Sequence, residues 1–132
     1  MAKGSISLLV DTDIFIDYLN GIERMKEILD ASHYRVYYSA VSRKELLSKR
    51  GLSTAEERRI RTLLLTHRLI PVDETIAERF SSLLAKYATH GLRKADALVA
   101  ATAWSRMLPL LTSNTRHYRF IPEITLLDLA EL

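Results

Sequence analysis

The acidic residues best placed to do chemistry in this 132-residue chain lie beside apolar runs. Asp11 and Asp13 come directly after the run ISLLV, and Glu45 follows a second apolar run farther along the chain. Asp96 lies among apolar residues in the first turn of the most apolar predicted helix. An acid at the end of a buried strand is costly unless it is paired or binds a metal ion. Asp11 is therefore the hardest of the four to explain as a structural residue.

If these acids meet, their mutual repulsion determines what else must be present. Two carboxylates about 4 Å apart repel by about 4 kcal/mol at an effective dielectric constant of 20. Three carboxylates in one pocket therefore require cations, and ligands that offer only oxygen favour a hard ion such as Mg²⁺ or Mn²⁺. Mg²⁺ typically takes few protein carboxylates together with water and substrate phosphate. The pattern therefore favours phosphodiester chemistry, and it leaves all four acids open as candidate metal ligands.

A second group of polar residues, Thr112 to Asn114, follows a later apolar run. In open parallel sheets, ligands bind outside the carboxyl ends of the strands. Thr112 and Asn114 are therefore expected near Asp11. The chain has no cysteine, which excludes a disulfide scaffold and a zinc or iron–sulfur site held by cysteine.

The elements that must position these residues alternate along the chain. Short apolar runs that end in turn or cap residues predict strands. Helical spacing and capping patterns predict the helices between them. The predicted strands are 6–10, 36–39, 69–72, 108–111 and 124–127. The predicted helices are 14–19, 23–31, one from near 43 to Gly51, one from near 55, one from the N-cap Asp73 to about 87, and 95–106. The expected fold is α/β, a single domain over 1–132 whose mainly parallel sheet of four to five strands has helices on both faces.

Each candidate side chain also has a purely structural explanation, which the sequence leaves open. The alternatives are an N-cap for Asp13, a capping box with Ser42 for Glu45, a helix-dipole charge for Asp96, a turn for Asn114 and solvated surface for Asp17.

Positive charge is concentrated in one segment. The chain has a net charge of +3, whereas residues 43–68 alone carry +5. A basic block in an otherwise acidic chain indicates a polyanionic partner, although a solvated helical face would have the same composition. The cations expected to contact the phosphates of such a partner are Arg43, Lys44, Arg58, Arg59, Arg61 and, beyond the segment, Arg116.

No apolar stretch approaches the length of a membrane span, and the start of the chain, MAKGS, lacks the pattern of a signal peptide. We therefore expect a cytoplasmic protein with no membrane partner.

Four motifs in order resemble one known family. They are LLVDTD at 8–13, SRKELL at 42–47, KADALVA at 94–100 and LTSNTRHY at 111–118. Together they resemble the signature of PIN-domain ribonucleases, and the length resembles that of VapC-type toxins of toxin–antitoxin pairs. The resemblance covers nearly the whole chain.

The resemblance implies a metal-dependent endoribonuclease that uses a metal-activated water. Asp11, Glu45 and Asp96 match the acidic triad of the family, and Thr112 matches a position that supports the site through its hydroxyl. Asn114 falls where many members have a fourth acid, and Asp13 adds a charge where Ser or Asn is frequent. The resemblance further implies Mg²⁺ or Mn²⁺, an RNA substrate, a homodimer and a small antitoxin that covers the site.

Two other function classes compete with this interpretation. One is a phosphatase of the haloacid-dehalogenase type, because Asp11 and Asp13 form a DxD motif after a strand. That chemistry needs a later Lys, and no Lys follows Asn114. The other is a non-catalytic PIN-like RNA-binding module, against which the intact acids argue. Metal-dependent cleavage of RNA would distinguish the enzyme from the binding module.

Overall fold

A computed structural model describes residues 6–132 and contains one five-stranded sheet between two groups of helices. The strands are β1 (Ile6–Val10), β2 (Tyr34–Ser39), β3 (Arg68–Ile70), β4 (Leu110–Leu111) and β5 (Leu126–Leu127). The helices are α1 (Thr12–Leu19), α2 (Glu23–Asp30), α3 (Ala40–Leu47), α4 (Thr54–Thr66), α5 (Glu74–Lys86) and α6 (Lys94–Arg106). Short 3₁₀ turns cover Ala88–His90, Thr115–His117 and Leu129–Glu131.

All paired strands are parallel, in the order β3-β2-β1-β4-β5. The α/β class, the parallel sheet and the five predicted strands are confirmed. Strands β3, β4 and β5 are each shorter than predicted. Pro71 has no backbone N–H to donate to a neighbouring strand, which explains why β3 ends at Ile70. The predicted start of the domain, 1–5, lies outside the described residues.

The alternation of side chains along β1 divides the core into two layers. Leu8 and Val10 pack with residues of α1, α2 and α4, whereas Leu9 packs with residues of α5 and α6. Successive residues of a strand point to opposite faces, so the run ISLLV must be covered on both sides. The predicted arrangement of helices on both faces is therefore confirmed.

The predicted start of α3 near 43 is wrong, whereas α4 begins within one residue of the predicted position. α3 begins at Ala40 because Ser39, at the end of β2, accepts a hydrogen bond from Val41 N at 3.0 Å. The strand thus passes directly into the helix, and Ser42 lies inside it. α3 also ends at Leu47, four residues before the predicted end at Gly51.

The capping box of α4 lies one residue earlier than predicted. Ser53 Oγ accepts from Glu56 N at 3.1 Å, and Glu56 Oε1 accepts from Ser53 N at 3.2 Å. Thr54 is therefore the first helical residue. The predicted N-cap Asp73 is confirmed, since its carboxylate accepts from Ile76 N at 2.8 Å.

No helix within residues 6–132 has the length and apolar character needed to cross a membrane.

Candidate active site

The candidate site lies where the strand order of the sheet reverses. Strands β2 and β3 extend from one side of β1, and β4 and β5 from the other. Asp11 N donates to Leu111 O at 3.0 Å, which brings the residues after β1 beside those after β4. Such a switch point is where open α/β sheets bind ligands, because the neighbouring connections diverge and leave a crevice.

Asp11 is held by donors from three parts of the chain. Its Oδ1 accepts from Thr12 N at 2.9 Å and so caps α1. Its Oδ2 accepts from Thr112 Oγ1 at 3.0 Å and from Tyr118 Oη at 2.9 Å. Burial raises the pKa of Asp11, and the charge of Asp13 raises it further, while these three hydrogen bonds act in the opposite direction. The ionised carboxylate is therefore strained electrostatically although it is well hydrogen-bonded.

Asp13 is tied to the loop after β4. Its Oδ2 accepts from Ser113 N at 2.8 Å and from Asn114 Nδ2 at 3.4 Å. Its Oδ1 is buried and has no hydrogen-bond partner among the described residues. The alternative in which Asp13 caps α1 is wrong, because Asp11 occupies that position. An unpartnered, buried carboxylate oxygen is costly and is what a cation or an ordered water would satisfy.

Tyr118 links two of the predicted metal ligands. Its hydroxyl lies 2.9 Å from Asp11 Oδ2 and 3.2 Å from Asp96 Oδ1. The side chain is completely buried, and burial together with the charges of Asp11 and Asp96 raises the tyrosine pKa far above its usual range. Tyr118 therefore remains a neutral hydrogen-bond donor to these carboxylates.

Tyr118 lies in the fourth motif, but the sequence predicted no role for it. Its position along the chain gives no sign that its hydroxyl contacts Asp11, 107 residues away. An aromatic residue between the polar residues His117 and Arg119 was the only signal that the sequence offered.

Asp96 is also held by two basic side chains. Arg93 Nε lies 3.3 Å and His117 Nδ1 lies 3.4 Å from Asp96 Oδ2. The Asp96 side chain retains only 13% of its exposure, so these contacts occur at the edge of the buried network. Its position in the first turn of α6 also agrees with a helix-dipole role, so both explanations remain compatible.

Glu45 joins the site indirectly. Thr12 Oγ1 donates to Glu45 Oε1 at 2.7 Å and lies 2.9 Å from Ser42 Oγ. Glu45 is exposed and makes no hydrogen bond to Asp11 or Asp96 within the described part of the chain. The capping-box explanation is wrong, because Ser39 caps α3. Thr12, which the sequence did not single out, instead connects Glu45 to the residue beside Asp11.

The oxygen atoms that the site offers as metal ligands suit a hard divalent cation that keeps much of its water. Within residues 6–132, no group of three or more His, Cys, Asp or Glu side chains is arranged so that it could hold a metal ion by itself. Burial, and after it the charge of Asp13, raises the pKa of Asp11, and Asp13 Oδ1 is buried without a partner among the described residues, so a bound cation would stabilise both carboxylates. Mg²⁺ needs few protein ligands because water and substrate phosphate complete its octahedron.

The predicted RNA-binding cations lie on two sides of this network. Arg43 and Lys44 are exposed on α3, and the three arginines of α4 are exposed beyond it. A groove of about 280 Å³ between these helices is lined by both Glu45 and Arg59. Arg116 instead lies on the α6 side, in a cleft of about 470 Å³ that includes Asp96.

Two of the α4 arginines already have partners. Arg61 Nε lies 3.1 Å from Glu57 Oε2, and Arg59 Nη2 donates to Leu19 O at 2.7 Å.

Comparisons with known proteins agree with this architecture. The sequence matches the PIN domain family over residues 8–121. It is 31% identical over 121 residues to Ribonuclease VapC10 of Mycobacterium tuberculosis, covering 89% of this chain and 90% of that protein. A structure described as a toxin-antitoxin complex from Klebsiella pneumoniae contains a chain with 31% identity and a TM-score of 0.74, covering 89% of this chain and 95% of that one.

A further structure, of DNA-bound VapBC from Salmonella typhimurium, shares the fold. Its TM-score is 0.82 at 24% identity, and the match covers 94% of this chain and 98% of that one. The family match begins within β1 and includes the loop after β4, the two segments that build the candidate site. The chain therefore belongs to the PIN domain family.

Proposed function

We propose that this protein is a divalent-metal-dependent endoribonuclease and the toxin of a toxin–antitoxin pair. The observation that carries the proposal is the network Asp11–Tyr118–Asp96 at the switch point of the sheet. The similarity to Ribonuclease VapC10 over 89% of the chain supports RNA as the substrate.

Asp11 and Asp96 would hold Mg²⁺ or Mn²⁺, and Glu45 would contribute through water. When bound, the ion supplies Lewis-acid stabilisation of charge on the scissile phosphate and lowers the pKa of an attacking water. Asp11 is fixed for this task by its three donors, and Tyr118 keeps Asp96 beside it. Thr12 orients Glu45 at the exposed side, where substrate must enter.

The loop after β4 supports these acids. Thr112 Oγ1 donates to Asp11 and accepts from Asn114 N at 3.1 Å, so it fixes the carboxylate and the loop together. Asn114 Nδ2 lies 3.4 Å from Asp13 Oδ2. In our proposal the amide of Asn114 is a neutral neighbour of the acids, and Asp13, which contacts this amide, supplies a negative charge.

A small antitoxin and a second copy of the chain complete the proposal. The toxin–antitoxin complexes among the similar structures support an antitoxin partner. The groove beside Glu45 is lined by apolar residues such as Leu46, Leu52 and Ile60, which suits a protein segment better than RNA. We further propose a homodimer and, because RNA is the substrate, a cytoplasmic location.

The test is cleavage of structured RNA by variants that keep the shape of the acids. Asp11→Asn and Asp96→Asn should each lower cleavage about a hundredfold or more in Mg²⁺, since each removes a charged ligand. Glu45→Gln should have a smaller effect, because Glu45 is exposed and acts through water. Circular dichroism should show an unchanged fold in all three variants.

The wild-type protein must also lose activity in EDTA and regain it when Mg²⁺ or Mn²⁺ is added. Wild-type cleavage by Asp11→Asn or Asp96→Asn would contradict the assigned site. RNA binding without cleavage under any of these metals would support the non-catalytic RNA-binding module instead.

A further inference from the structure

The cleft on the α6 side of the site has a composition that the proposed metal site does not explain. Three arginines line it, Arg93, Arg116 and Arg119, together with His90, Phe120 and the edge of Asp96. Its volume of about 470 Å³ lies within the usual range for sites that bind small ligands. We refer to it below as the α6 cleft.

The aromatic wall of the α6 cleft is built as a stack. The rings of His90 and Phe120 are 4.9 Å apart and nearly parallel, at 17°. Tyr87 packs its edge against Phe120 at 5.6 Å and donates its hydroxyl to Glu123 Oε1 at 2.6 Å. His90 is nevertheless exposed, and Gly91 directly after it ends the short 3₁₀ turn in a left-handed conformation (φ 71°). An anchored stack that ends in an exposed ring is a surface on which a nucleobase can stack.

The arginines that line the α6 cleft carry more positive charge than the acid in the cleft neutralises. Arg93 is engaged by Asp96 and lies 3.4 Å from His117 Nδ1. Arg116 and Arg119 are both exposed, and neither guanidinium makes a hydrogen bond or ion pair with any residue in 6–132. The three arginines exceed the single acid of the cleft, Asp96, by two charges. This excess favours a polyanion and fits two consecutive phosphates of a strand.

The α6 cleft is also continuous with the proposed chemistry. Asp96 belongs both to the wall of the cleft and, through Tyr118, to the network that holds Asp11. A strand bound here therefore leads directly to the proposed metal ligands. The arginines of α4, by contrast, flank an apolar groove beside Glu45, and two of them already have partners.

We propose that the α6 cleft is a subsite for single-stranded RNA, in which Arg116 and Arg119 bind phosphates and an unpaired base stacks on His90. The proposal deepens the proposed ribonuclease function and rests on it for the identity of the substrate. It assigns RNA contact to Arg119 and His90, which the sequence did not indicate, and keeps Arg116 from the predicted set. A base that stacks on His90 must be unpaired, so the subsite selects single strands over duplex.

Binding without divalent metal tests the subsite separately from cleavage. A labelled uridine hexamer is titrated with the full-length protein in EDTA, across a range of monovalent salt. The variant Arg116→Gln/Arg119→Gln should bind about tenfold or more weakly at low salt. Its plot of log K against log salt should be flatter by about 1.4, because each lost single-strand phosphate contact removes about 0.7. The matched control is Arg58→Gln/Arg61→Gln on α4, which removes the same charge and should weaken binding much less.

His90→Ala separates stacking from charge. Loss of one base–aromatic stack should weaken hexamer binding by about 5-fold to 100-fold while the salt dependence stays that of the wild type. Duplex RNA of the same length should bind more weakly than the hexamer and should not respond to His90→Ala.

Equal or greater loss in the α4 double variant, or unchanged binding in the cleft variants, would overturn the subsite. These outcomes are distinct from failure of the proposed function. If the wild type binds the hexamer through the α6 cleft but never cleaves RNA in Mg²⁺ or Mn²⁺, the nuclease proposal is wrong and the subsite remains. If it cleaves RNA while the cleft variants bind normally, the nuclease stands and the subsite is wrong.

Discussion

At the scale of single residues, the site depends on the hydroxyl group of Tyr118, which lies between two acids. Tyr118 Oη lies within hydrogen-bond distance of both Asp11 and Asp96, yet it has one proton to donate. The proton either points to one carboxylate or is shared between both in a three-centre hydrogen bond, so this hydroxyl is the one donor that links the two acids. Tyr118 thus acts as a positioning residue, because it keeps two like charges close before any cation arrives.

The residue-scale prediction concerns Tyr118→Phe, which keeps the buried ring and removes the hydroxyl. The free energy of unfolding in EDTA should fall by about 1–3 kcal/mol, the usual cost of losing a hydrogen bond to a buried charged group. Without the hydroxyl, repulsion should separate the two carboxylates, so the Mg²⁺ concentration that gives half-saturation should rise. Urea unfolding measures the first effect, and calorimetric titration with Mg²⁺ measures the second.

Tyr87→Phe provides the matched control. Tyr87 is buried in the same core layer, and its hydroxyl also donates to a carboxylate, that of Glu123, away from the site. This variant should lose stability in a similar way but keep the wild-type response to Mg²⁺. If both variants show the same Mg²⁺ response as the wild type, Tyr118 is a structural residue only.

At the scale of elements, the sequence predicted which segments are strands and helices better than where they begin. Apolar runs such as ISLLV must be buried on both faces, so their strand character follows from composition alone. Helix starts depend on which of several adjacent Ser and Thr side chains reaches a free backbone N–H. Both Ser53 and Thr54 have an acid three residues later, and only the folded backbone decides between them.

The positions of the residues in the candidate site could likewise be predicted only in part. Asp11, Thr112 and Asn114 could be placed together from the rule that parallel strands end at one edge of a sheet. The contact of Asp96 with the site could not, because it requires the position of α6 relative to the sheet and passes through Tyr118. The indirect position of Glu45 depends likewise on the early start of α3 at Ala40.

The element-scale prediction compares the two candidate caps of α4. Ser53→Ala should lower the free energy of unfolding by about 1 kcal/mol, since Ser53 Oγ accepts from Glu56 N. Thr54→Ala should change it by less, because Thr54 is already helical and alanine is the better helix former. Chemical denaturation of both variants gives the comparison. A larger loss in Thr54→Ala would restore the capping box that the sequence alone predicted.

At the scale of the whole molecule, the distribution of charge affects both ligand binding and the stability of the fold. The chain has a net charge of +3, yet negative charge is concentrated at the switch point of the sheet and positive charge on either side of it. This arrangement attracts a polyanion to the flanks and a cation to the centre. It also means that the protein without metal contains repulsion that folding must overcome.

The structure identifies the pair of acids that generates this repulsion. The sequence suggested Asp11, Glu45 and Asp96, but Glu45 is exposed and Asp96 is compensated by Arg93. Asp13, by contrast, raises the pKa of Asp11, and both acids are within hydrogen-bond distance of Thr112 Oγ1, at 3.0 and 3.5 Å.

We therefore expect Asp13→Asn to unfold at a higher temperature than the wild type when EDTA is present. The relieved repulsion is on the order of 1–3 kcal/mol at intermediate dielectric, and the lost charge in the first turn of α1 opposes it by only about 0.3–1 kcal/mol. The difference corresponds to a melting temperature a few degrees higher. The asparagine oxygen can still accept from Ser113 N, so the loop after β4 should keep its position.

Asp17→Asn is the control, because it changes the net charge of the molecule equally within the same helix but makes no contact with Asp11. Added Mg²⁺ should stabilise the wild type more than Asp13→Asn, because the charge of Asp13 beside Asp11 adds to the attraction of the folded state for the cation. A variant that melts lower than Asp17→Asn in EDTA, with the wild-type response to Mg²⁺, would show that Asp13 serves only to hold the loop.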